Sequence, residues 1–339
     1  MSKYSIILPV RNGGSYIAEC IKSILSQTIP DFELIILENC STDNTNDIIS
    51  SFDDNRIKIY PATHPLTIEE NWQRAVSVPK NEFLTLIGHD DLLDEDYLYV
   101  MNDLIGRHPG ASLYQAHFRY INAKGQEIGK CQPMAAVQRP ADAIHNFLCG
   151  KTDLMGTGFM MRSTDYVSAG GIPPYPSLLF ADMELWIGLS KKSYLATDKR
   201  ECFSYRKHQS ATTSTSSDAK FLQAFDLLVN YLYQVKNSEP QLALVIEKDS
   251  VLLLRQYCQG ITHKVLKTAR KNRKTPDVTN IIERFREYGK KLGVDHFEPL
   301  DFREIRLGKI IDENRLLHGL FLLFKRIYDK PIIKTGTDS

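Results

Sequence analysis

At 339 residues, with 42% hydrophobic and 24% charged side chains, the chain is long enough for two domains and too apolar for general disorder. Six cysteines (Cys20, Cys40, Cys131, Cys149, Cys202, Cys258) without a Cys-x-x-Cys pair argue against a zinc ribbon or a disulfide framework and suit a reducing cytoplasm. The net charge of +1 conceals a division: from Val251 onward 19 Lys and Arg stand against 11 Asp and Glu, so an acidic front precedes a basic back suited to an anionic partner or to solvated helix faces.

The opening apolar stretch, Ser5–Ile6–Ile7–Leu8, is too short for a signal-peptide core and reads as a first strand, Ser5–Val10. Gly13–Gly14–Ser15 turns the chain into a helix carrying Ile17, Ile21, Ile24 and Leu25. Phe32–Leu37 is a second strand, and Ser41–Thr42–Asp43 opens a helix with Ile48, Ile49 and Phe52. Then come a short strand (Ile57–Tyr60), a helix (Ile68–Val78) and the apolar run Phe83–Ile87. Strand–helix–strand order with short connections implies a parallel sheet covered on both faces. After a helix at Tyr97–Ile105 the rhythm changes to short strands at Ser112–Ala116, Phe118–Asn122, Gly158–Arg162, Tyr194–Thr197 and Cys202–Arg206, with a helical stretch over Leu179–Leu189. The Ser/Thr-rich run Gln209–Asp218 reads as a linker. Beyond it Phe221–Tyr233, Leu242–Lys267, Val278–Leu292 and Phe302–Tyr328 read as helices. No apolar run approaches the length that spans a bilayer, so a cytoplasmic protein is expected.

Chemistry concentrates at strand ends. Phe83–Ile87 delivers Gly88–His89–Asp90–Asp91, and adjacent carboxylates repel and resist burial unless something cationic sits between them. A hard cation held by Asp90 and Asp91 together with a phosphate-bearing ligand accounts for the pair. Glu38, at the end of the second strand, can accept from a base N–H or a ribose hydroxyl, whereas Ser41 and Asp43 read as helix caps. The loop Pro9–Val10–Arg11–Asn12–Gly13 lies where open α/β sheets bind ligands, but alone it is only a turn, and neither a dinucleotide fingerprint nor a P-loop is present. Asp182 beside Phe180 and Trp186 is a general base or a helix cap, and His208 a packing histidine unless the fold returns it to the aspartates.

Taken in order, Ser5–Ile6–Ile7–Leu8–Pro9–Val10–Arg11–Asn12, Glu38–Asn39–Cys40–Ser41–Thr42–Asp43, Asn71 before Ala75, His89–Asp90–Asp91, Asp182 and Tyr205–Arg206–Lys207–His208 resemble the family 2 inverting glycosyltransferases of the GT-A fold. The resemblance covers residues 3 to 215. It implies an α/β fold with a mostly parallel central sheet: a catalytic domain over 1–215, divided near residue 100 into nucleotide-sugar and acceptor halves, and a helical region over 216–339. It further implies a nucleotide-sugar donor (a UDP-sugar is expected), Mn²⁺ or Mg²⁺ on its diphosphate, and transfer with inversion to a glycan or polyprenyl-linked acceptor in bacterial surface-polysaccharide synthesis, O-antigen or capsule. By position, Pro9, Val10, Arg11, Asn12, Glu38, Asn71 and Asp90 would bind the donor. Asp90, Asp91 and His208 would hold the metal, and Asp182 would act as the base. Three positions depart from the family pattern: Gly88 where an acid is common, Ala181 before Asp182, and Glu38 in place of Asp.

Other readings stay beside this one: a sugar nucleotidyltransferase, although Gly13–Gly14–Ser15 is short for its phosphate loop, and a catalytically degenerate scaffold relative. The basic tail, with Leu316, Leu320, Phe324 and Ile327 among Arg315, Lys325 and Arg326, suits either the inner face of a membrane or packing on the catalytic domain or a second subunit. No nucleic acid-binding module is recognisable in it, so nucleic acid is not an expected partner.

Overall fold

Seven consecutive buried residues, Tyr4–Val10, form the first strand (β1) of a computed structural model that describes residues 2–208, 217–273, 277–294 and 296–328. A strand buried on both faces needs cover above and below as well as partners along its edges. Phe32–Glu38 (β2), Ile57–Ile59 (β3) and Phe83–Leu86 (β4) provide the partners in the parallel order β3-β2-β1-β4, with Val10 opposite Glu38 and Ile7 opposite Leu86. Ile17–Leu25 (α1) turns Ile17, Cys20, Ile21 and Ile24 inward. Thr45–Ser50 (α2) begins four residues later than the Ser41 start expected from sequence. Ile68–Gln73 (α3) starts on a capping box between Thr67 and Glu70.

The sheet then continues β9-β6-β10-β5. Its strands are Leu92–Leu93 (β5), Leu113–Ile121 (β6), Glu127–Lys130 (β7), Val137–Gln138 (β8), Met160–Arg162 (β9) and Leu195–Arg206 (β10). Tyr97–Arg107 (α4), Pro140–Leu148 (α5), Ser163–Ser168 (α6) and Ala181–Ser190 (α7) run between them. Because β9 pairs antiparallel with both β4 and β6, the sheet is mixed rather than wholly parallel, although its longest ladders, β1 with β2 and β6 with β10, are parallel. Two pairs of expected short strands are single long ones. In β10 the charged stretch Asp198–Glu201 hides the continuity, because register shifts between Asp198 and Phe203 bulge it out of the ladder. The Arg200 Nε donates to Asp198 Oδ1 at 2.9 Å, and Arg107 pairs with the same carboxylate.

The chain divides into two units, Met1–Ala143 with Thr152–Thr215, and Ile144–Lys151 with Ser216–Ser339. The second is built from helices Asp218–Ser238 (α8), Pro240–Leu266 (α9), Val278–Leu292 (α10), Arg303–Glu313 (α11) and Arg315–Ile327 (α12). Phe225 on α8 stacks on Phe285 of α10 at 5.3 Å and packs against Tyr257 of α9 at 5.0 Å. The segment Ile144–Lys151 joins these helices because Asp249, buried on α9, needs a partner: His145 Nδ1 lies 2.7 Å from its carboxylate. Cys149 completes a His–Cys–Asp group whose ligand atoms lie within 4.8 Å of one another, and Lys151 Nζ lies 2.8 Å from His145 Nε2. The single helix expected over Phe302–Tyr328 is two, because Asn314 caps the second by accepting from the N–H groups of Leu316 (2.9 Å) and Leu317 (3.1 Å). Most of the expected linker, residues 209–216, lies outside the described residues. Among the described residues no helix is long and apolar enough to cross a membrane.

Candidate active site

The carboxyl ends of β1, β2 and β4 open into one cleft of about 520 Å³. Pro9, Val10, Arg11, Asn12, Asn71, Asp90 and His208, all singled out from sequence, line it, together with Tyr16, Asn39, Trp72 and His89. The loop after β1 is laced to the loop after β2. Asn12, in the left-handed region at φ 55°, donates its N–H to Ser41 Oγ at 3.0 Å, and its Oδ1 accepts from Thr42 N–H at 2.8 Å. Gly13 donates to Thr45 Oγ1 at 2.8 Å, and a Cβ there would stand 2.8 Å from Val10 and 2.9 Å from His89, so only glycine fits.

Glu38 is not part of the cleft lining. Its buried carboxylate accepts from the N–H groups of Cys40 (3.0 Å) and Ser41 (2.6 Å), holding the turn in which Cys40 takes φ 48°. Asn39 lines the cleft instead, tied to Leu66 by its Nδ2 (3.0 Å) and Oδ1 (2.8 Å). Asn71 is fixed from both ends of its amide, donating to the Leu37 carbonyl at 3.2 Å and accepting from Arg74 at 2.9 Å.

The two aspartates after β4 diverge. Asp90 faces the cleft, where its Oδ2 lies 2.7 Å from His208 Nε2. The fold has thus returned His208, from just beyond β10, to the acid group delivered by β4. Asp91 is buried, accepting from Thr157 Oγ1 at 2.7 Å and from the Arg206 N–H at 3.0 Å. Burial, reinforced by the neighbouring Asp90 charge, pushes the Asp91 carboxyl well above its ordinary range. A Cβ at Gly88 would meet Asp90 Oδ1 at 2.6 Å, so a side chain there would have to displace the Asp90 carboxylate from its present position.

Arg206, given no role by the sequence reading, organises this corner. Its side chain is 1% exposed; Nε donates to the Asp90 carbonyl at 2.7 Å, one terminal nitrogen pairs with Glu19 at 2.7 Å, and the guanidinium lies 4.7 Å from the centre of the Tyr16 ring. Its signals were its place at the end of a strand and in the Tyr205–Arg206–Lys207–His208 segment, neither of which assigned it a task. A carboxylate and an imidazole side by side on a cleft wall suit Mn²⁺ or Mg²⁺, with most positions of the ion left to phosphate oxygens and water.

Asp182 occupies the first turn of α7, entered through Ser177, Leu178 and Phe180, all in the left-handed region at φ 55–63°. Such a run is costly, and its place next to an acid marks an imposed geometry. Ser177 is anchored by its N–H to Glu69 Oε1 at 2.6 Å, and Glu184 on α7 accepts from Tyr175. Burial raises the Asp182 carboxyl to about 6, while the Met183 N–H opposes the rise. Asp182 belongs to the neighbourhood of the other acids: burial raises the Tyr205 phenol, and the charges of Asp91, Asp90 and Asp182 add to the effect.

Similar proteins support the same assignment. GlyG, a glycosyltransferase of Streptococcus pneumoniae, is 26% identical over 123 residues, which span 36% of this chain but only 41% of GlyG. TuaG of Bacillus subtilis, a candidate teichuronic acid biosynthesis glycosyltransferase, is 26% identical over 204 residues, 58% of this chain and 76% of TuaG. In fold, the crystal structure of S. aureus TarS 1-349 in complex with UDP-GlcNAc is similar at a TM-score of 0.68 and 15% identity, covering 98% of this chain and 95% of that one. A mannosyltransferase of Pyrobaculum calidifontis in complex with GDP-Man and Mn²⁺ is similar at 0.52 and 15%, covering 97% and 88%. Residues 5–167, just under half of the chain, match the family model described as Glycosyl transferase family 2, and the fold around them is similar to that of solved glycosyltransferases.

Proposed function

We propose that this protein is an inverting glycosyltransferase that moves a sugar from a nucleotide-diphosphate donor to a hydroxyl of a glycan or polyprenyl-linked acceptor in bacterial surface-polysaccharide synthesis. The observation that carries the reading is the Asp90–His208 pair on the wall of the cleft at the strand ends. Asp90 and His208 would hold a divalent cation, and Asp91 and Arg206 fix the backbone beneath them. When bound there, the cation would supply Lewis-acid stabilisation of charge on the departing diphosphate. Pro9–Asn12, Asn39 and Asn71 form the nucleotide's walls. Asp182 takes the proton from the attacking hydroxyl on the face opposite the leaving group, as inversion requires of a single base. Its carboxyl at about 6 is ionised at neutral pH yet basic enough to accept that proton.

The names of TuaG and TarS bear on pathway and donor: the first points to a cell-surface polymer, the second, with its UDP-GlcNAc, to a UDP-sugar. A panel of UDP- and GDP-sugars with Mn²⁺, read first by thermal shift and then by transfer, tests the proposal. The expected result is one donor that raises the melting temperature by a few degrees only when Mn²⁺ is present, and a product of opposite anomeric configuration by NMR. A panel in which no donor binds, or a product that retains configuration, overturns it.

A further inference from the structure

The helix α12 is inside out. His318, Phe321 and Lys325, three and four residues apart, form the face turned to the protein: His318 and Lys325 are buried, and the half-buried Phe321 ring meets His263 edge-on at 6.0 Å. His318 Nε2 lies 3.0 Å from the Leu266 carbonyl. The opposite face is apolar and exposed: Leu316 (73%), Leu320 (57%), Leu323 (59%), Phe324 (44%) and Ile327 (71%). A helix held by its polar side, with its apolar stripe in water, has its amphipathicity directed at something outside the chain.

The charge on the helix favours one occupant. Arg315, Lys325 and Arg326 lie in α12 and no carboxylate does, and the exposed arginines stand at the two ends of the stripe. Two copies of this helix would bring like charges together, whereas an anionic surface complements them. Thirteen helical residues make a strip about 20 Å long and about 10 Å wide, well short of the roughly 800 Å² per partner of a stable protein interface. Lying in a lipid interface needs no such area, only apolar side chains at acyl depth and cations at the headgroups. Tyr328, 59% exposed at the end of the stripe, is an aromatic of the kind that sits at that boundary.

We infer that α12 is a membrane-surface helix that docks the protein on anionic lipid by its exposed apolar stripe. The inference rests on the helix itself and not on the reading of the cleft.

The test is co-sedimentation of the full chain with vesicles of phosphatidylglycerol and phosphatidylcholine, set against phosphatidylcholine alone. The expected result is binding to the mixed vesicles that falls roughly tenfold or more with phosphatidylcholine alone or with R315E/R326E. L320E/L323E should also lower it by roughly tenfold or more, with an unchanged melting temperature, because both leucines are exposed. Absence of binding to anionic vesicles, or binding indifferent to L320E/L323E, overturns the inference. So does a dimer in light scattering that the same double variant dissolves, since a second copy would then own the stripe. Donor-induced thermal shift, measured on the same samples, reports on the cleft separately.

Discussion

Asp182 carries two opposing demands. A carboxyl raised to about 6 is a competent base near neutrality, and keeping it ionised in a partly buried site weakens the fold. Asp182→Asn should therefore reduce transfer by roughly 10²–10⁴-fold with donor affinity kept, and in the parent enzyme the rate should rise with pH through an apparent pKa near 6. The sign for stability follows from proton uptake: between the ordinary carboxyl value of 3.8 and about 6 the folded chain binds more protons than the unfolded one, so stability falls as pH rises through that window. The asparagine variant lacks this loss, and thermal melts at pH 7 should show it more stable than the parent though inactive. Asp90 and Asp91, adjacent in sequence, separate by role. Calorimetry should find that Asp90→Ala abolishes the Mn²⁺ dependence of donor binding, whereas Asp91→Asn keeps it and weakens ion affinity by roughly 10–100-fold, as loss of a supporting partner does.

Among the elements, β10 does most to build the site. It pairs parallel with β6 through Arg206 opposite Ile121 and delivers His208 two residues later. Arg206 is its keystone, and removing it strands the Asp90 and Asn122 carbonyls it now satisfies at 2.7 and 3.2 Å. Urea unfolding should show Arg206→Ala less stable by about 2–4 kcal/mol, and Arg206→Lys should not restore the loss, since an ammonium cannot reproduce the planar fork. The β1–β4 half was legible because buried parallel strands read as unbroken apolar runs between helical periods. β10 was not legible as one strand, because the bulged, ion-paired stretch Asp198–Glu201 looks like a loop in sequence. Asn314 looked like one more polar position in a long helix, and only its cap geometry shows the break. At the site, strand-end position was enough to single out Asp90 and the Pro9–Asn12 loop. The separation of Asp90 from Asp91 depends on Thr157 and the Arg206 N–H, contacts between residues 66 and 115 apart that no local pattern encodes.

For the molecule as a whole, a net charge of +1 is the sum of an acidic front and a basic back. Opposite fields on one chain attract between molecules when salt is low, near the pI of about 7.6. Static light scattering at neutral pH should show that attraction weakening as ionic strength rises; attraction that grows with salt would assign it to apolar contact instead. The same separation leaves the cleft at the strand ends in the acidic part, where on the proposed reading a dication would have more to neutralise than one phosphate group alone. At Gly13 the loop after β1 comes close to the loop that bears Asp90, the His89 ring standing 2.9 Å from where a methyl on the glycine would be. On the proposed reading, with the donor's base against the first loop and the cation against the second, a displacement of one loop would be felt by the other, like meshed gear teeth, and the two grips would adjust together.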